Sequence, residues 1–196
     1  LKQGYKKIML LGQNVNTWRG NTEEETRNKT KRKARKSTEG FAVLLEMVAG
    51  IEGVEEVTFM SANPRDFSDK LIKVIAENEN VSKEIHLPVQ SGDNEILKKM
   101  NRGYTREDYL NLIRKIKEKI PDAEITTDLL VGFPGETVQA FQNTVDLCQK
   151  VGFKRAFINK YSPRPGTSSA ENFTDSVPHP TKKHRWRVLE KLINKN

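Results

Sequence analysis

His86-Leu-Pro-Val-Gln-Ser-Gly-Asp93, followed by Met100-Asn-Arg-Gly-Tyr-Thr-Arg106, is the stretch whose reading decides the fold. Its first part continues an apolar run from Ile85 and reads as a strand covered on both faces. Its second part places an amide, a hydroxyl, a glycine and charged groups where that strand ends. In an architecture of alternating strands and helices, the carboxyl ends of the strands are where chemistry is assembled. A polar strand end followed by a helical pattern therefore predicts one β/α unit with a binding function.

Four further segments repeat the arrangement. Tyr5–Gly12, Val54–Met60, Glu124–Val131 and Arg155–Tyr161 read as strands beside Lys83–Val89. Runs such as Ile8-Met-Leu-Leu11 and Leu129-Leu-Val131 are apolar on consecutive positions, as doubly covered strands require. Helical patterns lie between them. Phe67–Asn78 carries Leu71, Ile72 and Ile75 at helical spacing, and Thr137–Val151 carries Phe141, Val145 and Cys148. Thr105-Arg-Glu-Asp108 is a capping box ahead of Tyr109, Leu112, Ile113 and Ile116, and Pro121 closes that helix. Successive strands stand about thirty to forty residues apart, the size of a βαβ unit. The expected fold is α/β: a partial TIM-like (β/α) barrel of about five βα units over residues 1–176, short of the eight that close a full barrel.

Two stretches depart from this pattern. Residues 21–40 lengthen the first interval and contain Arg27-Asn-Lys-Thr-Lys-Arg-Lys-Ala-Arg-Lys36. A block of like charge repels itself, so a flexible, solvated basic insertion is expected there. Residues 177–196 read as a basic helix with Trp186, Leu189, Leu192 and Ile193 on one side, a connector toward a C-terminal domain outside the chain.

Composition narrows the class. The chain has 196 residues, a formal charge of +8 and one cysteine. That cysteine count excludes an internal disulfide framework and an all-cysteine metal site, and fits a reducing, cytoplasmic setting. No apolar run reaches the length of a membrane span, and no charged leader or apolar signal core opens the chain, so no membrane partner is expected. Beginning at Leu1, the sequence reads as starting within a gene. The basic excess favours a polyanionic partner.

The strand ends supply the candidate site. They read Gly12-Gln-Asn-Val-Asn16, Ser61-Ala-Asn-Pro-Arg-Asp66, Pro88-Val-Gln-Ser-Gly92, Asp128-Leu-Leu-Val-Gly-Phe-Pro-Gly-Glu136 and Lys160-Tyr-Ser-Pro-Arg-Pro-Gly166. Each carries amides, hydroxyls, charges or glycines, the groups that hydrogen-bond a ligand and let backbone approach it. One such end is ordinary loop polarity, but five in one register are not. Asp128 follows two threonines inside a strand, where a carboxylate without a partner would be costly. His86 reads as a satisfied core group and Cys148 as core packing. The basic run itself contains no aromatic residue, so it lacks the stacking platforms of base-specific RNA recognition; the solvated loop is preferred over a contact to an RNA backbone.

Gly12-Gln-Asn-Val-Asn16, His86-Leu-Pro-Val-Gln-Ser-Gly92, Met100-Asn-Arg102, Gly132-Phe-Pro-Gly-Glu-Thr137 and Tyr161-Ser-Pro-Arg-Pro-Gly-Thr167 together resemble the radical S-adenosylmethionine methylthiotransferases, most nearly the MiaB family. The resemblance covers nearly all of the chain outside 21–40. It implies the later part of a radical barrel that, in such enzymes, lies between an N-terminal domain with an auxiliary iron–sulfur cluster and a C-terminal RNA-binding domain. It also implies that S-adenosylmethionine is the cofactor, with [4Fe–4S] clusters whose cysteine ligands lie outside this chain. No catalytic residue and no metal ligand is then expected within the chain, which would be inactive by itself.

Site residues follow by the same resemblance. Gln90, Arg102 and Asp128 are expected to line the nucleoside and amino-acid parts of the cofactor, with Gly12, Gln13, Ser61, Ser91 and Ser162 in the same pocket. Asn14, Asn16, Arg65, Tyr161 and Arg164 fall on the substrate side, and Gly132–Glu136 resembles the segment flanking the adenine. The implied reaction adds a methylthio group to carbon 2 of an N6-prenylated adenosine next to the anticodon. The implied partner is a tRNA anticodon loop, and the full-length protein is expected to be a cytoplasmic monomer. The alternatives are a sister enzyme acting on threonylcarbamoyl-adenosine or on a ribosomal protein, and a non-catalytic nucleoside- or RNA-binding domain.

Overall fold

The computed structural model describes residues 3–19 and 39–195. The basic run 27–36, and with it nearly all of the expected insertion, lies outside the described residues. The chain forms two compact units: residues 1–86 with 116–123, and residues 87–115 with 124–196.

In the first unit, β1 (Lys7–Leu10) pairs in parallel with β2 (Glu56–Phe59), Ile8 against Val57 and Leu10 against Phe59. Helix α1 (Gly40–Ala49) connects them and buries Phe41, Ala42, Leu45 and Ala49. The Phe41 ring meets Phe59 edge-on with centroids 5.4 Å apart. Helix α2 (Asp69–Glu77) starts where the Ser68 hydroxyl accepts from the Leu71 N–H at 3.1 Å, an N-cap, and it buries Leu71, Ile72, Val74 and Ile75. The chain then returns beside β2, since Val57 N donates to Asn80 O and Ser82 N to Val57 O, and continues into β3 (Glu84–His86).

In the second unit, the segment after β3 runs alongside β4 (Glu124–Val131): Leu87 N donates to Thr126 O and Gln90 N to Asp128 O, both at 2.8 Å. The Thr127 hydroxyl donates to Leu87 O and accepts from Val89 N, each at 3.0 Å, while Tyr109 Oη donates to Leu87 O at 2.9 Å. Buried backbone polar groups need such partners, which gives the threonine before Asp128 its task. Strand β5 (Arg155–Lys160) pairs in parallel with β4, Asp128 opposite Phe157.

Helix α3 (Asn94–Lys99) is capped by Asp93, whose carboxylate accepts from Glu95 N and Ile96 N at 3.1 Å. Helix α4 (Arg106–Lys119) opens on the expected capping box: Asp108 N donates to the Thr105 hydroxyl at 3.1 Å and Thr105 N to the Asp108 carboxylate at 2.9 Å. Residues 106–115 of this helix belong to the second unit and 116–119 to the first. Helices α5 (Val138–Val151), α6 (Ser168–Asn172) and α7 (His179–Leu189) follow, and a π-turn at Glu190–Asn194 ends the described chain.

The exposed edge of β5 is closed by side chains. The Asn194 carboxamide accepts from Ala156 N at 3.0 Å and donates to Ala156 O at 2.8 Å, and Trp186 Nε1 donates to Ile158 O at 2.8 Å.

All five expected strands are present within their expected bounds. Helices α1, α3 and α6 were not foreseen. Helix α1 is apolar except for Glu46, so no polar face marks a helical period, and the other two span only one or two turns.

Candidate functional site

In the first unit, the ends of β1 and β2 are joined. Val15 N donates to Ser61 O at 3.2 Å. Asn16 is 1% exposed, donates through Nδ2 to Asn63 O at 2.8 Å and accepts from Asn63 N at 2.7 Å. Its carboxamide therefore pins one loop to the other. Gly12, Gln13, Asn14 and Ser61 are exposed around this pin. Asn14 and Ser61 both adopt left-handed backbone, at φ 52° and 62°, which turns each loop sharply at the strand end. The Arg65 guanidinium is half-exposed and held by Asp66 at 3.0 Å.

In the second unit, Gln90, Arg102 and Asp128 gather about the segment Pro88–Gln90. Gln90 takes φ 70°, and its backbone bridges two points of β4, from Asp128 O to Leu130 N. Arg102 is placed by the end of α3: Asn101 adopts left-handed backbone at φ 54°, and Arg102 N donates to Leu97 O at 3.0 Å. Its Nε donates to Tyr104 Oη at 3.2 Å, its Nη2 lies 3.5 Å from Pro88 O, and its guanidinium carbon is 5.8 Å from the Tyr104 ring centroid. Tyr104 Oη in turn reaches Pro88 O and Val89 O, and burial pushes the Tyr104 hydroxyl pKa up. Tyr104 thus stays protonated and holds the guanidinium plane over the strand end. Among the described residues, Nη1 of Arg102 has no protein partner.

Ser91 is buried, with its hydroxyl accepting from Asp93 N at 3.2 Å and 3.4 Å from the Thr144 hydroxyl. The same Thr144 hydroxyl accepts from Gly92 N at 2.9 Å. A Cβ on Gly92 would lie 2.6 Å from Asn143 O and Thr144 Cα of α5, so this turn admits only glycine. Arg106 donates to Asn143 O at 2.7 Å and pairs with Asp146. These contacts lock the turn that carries Gln90.

The end of β5 follows. Tyr161 N donates to Val131 O at 2.9 Å, and the Tyr161 ring packs edge-on against Phe133 at 5.1 Å. Among the described residues, the buried Tyr161 hydroxyl finds no hydrogen-bond partner. Ser162 and Arg164 are exposed beyond it, and Arg164 O accepts from the Thr167 hydroxyl at 2.7 Å.

Sequence reasoning missed the charges that hold the Gly132–Glu136 turn. Glu136 accepts from Gly132 N at 2.6 Å and from Arg185 of α7 at 2.5 Å, and both side chains of this ion pair are buried. Burial pushes the Glu136 carboxyl pKa up, against the opposing pull of the Gly132 N–H and Arg185. Lys182 donates to Tyr161 O at 3.0 Å and to both oxygens of Asp175, at 2.6 and 2.7 Å. Its aliphatic stem fills the space where a Cβ on Gly132 (φ 74°) would stand, 2.3 Å from Lys182 Cγ. In the sequence these cations lie in Lys182-Lys-His-Arg185, within the stretch read as a basic connector helix.

His86 is 7% exposed and Cys148 3% exposed, as expected of core groups. Burial pushes the Cys148 thiol up to about 12. Among the described residues, no grouping of three or more His, Cys, Asp or Glu side chains could hold a metal ion. No helix among them is long and apolar enough to cross a membrane.

Parallel strands with polar carboxyl ends, each followed by a helix, define an α/β protein, a class in which chemistry is assembled at the strand ends. The chain belongs to the Radical SAM superfamily, which matches residues 1–148. It is 46% identical over 193 residues to a tRNA-2-methylthio-N(6)-dimethylallyladenosine synthase of Pelotomaculum thermopropionicum, covering 98% of this chain and 40% of that protein. It is 44% identical over 197 residues to the protein of the same name from Thermotoga petrophila, covering 99% and 42%. The chain thus spans about two fifths of the length of these curated relatives.

Among solved structures, it is similar to Escherichia coli coproporphyrinogen III oxidase, a radical SAM enzyme, with a TM-score of 0.54 at 15% identity over 96% of this chain and 52% of that one. It is also similar to archaeal Elp3 of Methanocaldococcus infernus, with a TM-score of 0.53 at 20% identity over 87% and 41%. These likenesses show the fold, a partial α/β barrel.

S-adenosylmethionine and a [4Fe–4S] cluster are the cofactors of this superfamily. Cysteine thiolates hold such clusters, and the one cysteine of the chain is buried with its thiol protonated. The cluster does not fit the residues present.

Proposed function

We propose that this chain supplies the cofactor-orienting part of a tRNA methylthiotransferase, which modifies carbon 2 of an N6-prenylated adenosine beside the anticodon. The observation that carries the reading is the Arg102 guanidinium, propped by Tyr104 beside the Gln90 strand end with one nitrogen left to a ligand. A planar fork of this kind suits the methionyl carboxylate of S-adenosylmethionine. In this reading the Asp128 carboxylate accepts from ribose hydroxyls, and Gln90, whose backbone N–H donates to the Asp128 carbonyl, donates or accepts at the same nucleoside. The bound cofactor, with a cluster held outside this chain, supplies the radical chemistry. The residues here bind it, hold its orientation toward the base and exclude side reactions.

The prenyl-adenosine reading is supported by the shared name of the relatives. The single, buried cysteine supports the reading that the chain by itself is inactive, and the basic excess supports a tRNA partner. A cytoplasmic location and a monomeric full-length enzyme belong to the same proposal.

In the enzyme that carries this chain, Arg102→Ala should suppress cofactor cleavage severalfold or more while tRNA affinity stays within about twofold. Equal loss of both would assign Arg102 to RNA and overturn the role given to it. The chain by itself should bind S-adenosylmethionine weakly. Micromolar affinity by calorimetry without a cluster would refute that.

A further inference from the structure

Helix α7 has two charged faces that are used differently. Lys182 and Arg185 are 4% and 5% exposed and are spent on Asp175 and Glu136. These two ion pairs fix the rotation of the helix about its axis. Beyond its first turn, the exposed residues are then Lys183, His184 and Arg187, and Lys191 continues the series in the π-turn. No carboxylate occurs within His179–Leu189. Among the described residues none pairs with Lys183, Arg187 or Lys191, whereas Lys6, Lys7, Lys73 and Lys150 each have one within reach. Lys160 stands beside this helix, its Nζ 5.4 Å from the Trp186 ring centroid.

We propose that the outer face of α7 binds the phosphate backbone of the RNA substrate. This rests on the reading of that substrate as tRNA. Lys183 and Arg187 are one helical turn apart, about 6 Å along the axis, and a buried clasp keeps them presented. Charges held in place lose less freedom on binding than charges on a loose tail. The face offers no apolar anchor, because Leu189 and Ile193 are buried, so an anionic lipid surface has nothing to take up beyond charge. Phosphate contacts position a nucleic acid without reading its bases. The face therefore sets the register of the RNA, and base recognition lies elsewhere.

The test uses the full enzyme and a tRNA transcript, with affinity measured between 50 and 200 mM salt. Each phosphate contact contributes about 0.7–0.9 to the slope of log affinity against log salt. The triple variant Lys183→Gln, Arg187→Gln, Lys191→Gln should flatten that slope by about 2 and weaken binding at 50 mM salt by about tenfold or more. The charge-keeping triple Lys183→Arg, Arg187→Lys, Lys191→Arg should retain both, and unchanged melting curves show that the variants fold. A parent enzyme that binds tRNA tightly, with slope and affinity unchanged in the Gln triple, overturns the proposal and leaves the tRNA reading standing. A parent that fails to bind tRNA overturns both. Retention on phosphatidylglycerol vesicles without tRNA binding assigns the face to lipid and likewise overturns it.

Discussion

Asn16 and Arg102 come from similar polar strand ends, and their surroundings give them different work. Both ends of the Asn16 carboxamide are committed to Asn63 in a buried position, so Asn16→Ala leaves two backbone groups unmet. It should lower stability by about 1–3 kcal/mol in urea unfolding, and a change within experimental error would remove the pin. Asp146 gives a pH signature. Hydrogen bonds from Lys150 and Arg106 hold its carboxyl below the usual range. A lowered carboxyl pKa contributes stability above the unfolded value, about 3.9, and loses it as pH falls through the folded value. Asp146→Asn should therefore be less stable than the parent at pH 6 and equal to it in strong acid; a constant gap across that range would refute the linkage. Residue types at the strand ends were legible because they sit in short contiguous runs. The Tyr104 prop was not, since Arg102 meets its ring where Asn101 and Gly103 both turn the chain left-handed.

At the scale of elements, strands were readable as short apolar runs between turn residues, although β1, expected to be covered on both faces, is exposed or half-buried along its length. Helices were readable where one face is polar. Helix α7 defeated that reading in part. Its apolar side was visible in Trp186, Leu189 and Ile193, but the roles of Lys182 and Arg185 depend on carboxylates 7 and 49 residues away. No local pattern reports a partner that distant. Arg185→Met would leave Glu136 buried without its counter-charge and should cost about 3–5 kcal/mol. Combining it with Glu136→Gln should recover part of that loss in the same urea assay, and a strictly additive double variant would show that the two do not act as a pair.

For the whole molecule, the two units leave their strand edges in different states. Among the described residues, β1 pairs with β2 only, and Met9 and Leu11 are 55% and 71% exposed. An uncovered apolar strand edge invites pairing with another chain. The chain by itself should associate as concentration rises in sedimentation runs, and Met9→Lys should shift it toward monomer. A monodisperse monomer across the range would contradict this. The sequence made this edge legible, because Ile8-Met-Leu-Leu11 is an apolar strand whose partner can be counted.

The far side of β5 meets the same problem with no further strand. One carboxamide, Asn194, occupies both the N–H and the carbonyl of Ala156, and an indole takes the carbonyl of Ile158. Sheet growth there is stopped by side chains, which can be exchanged one at a time, whereas a neighbouring backbone cannot. Replacing Asn194 with an aliphatic residue would reopen that border and turn the finished rim of the second unit into a surface that recruits strands.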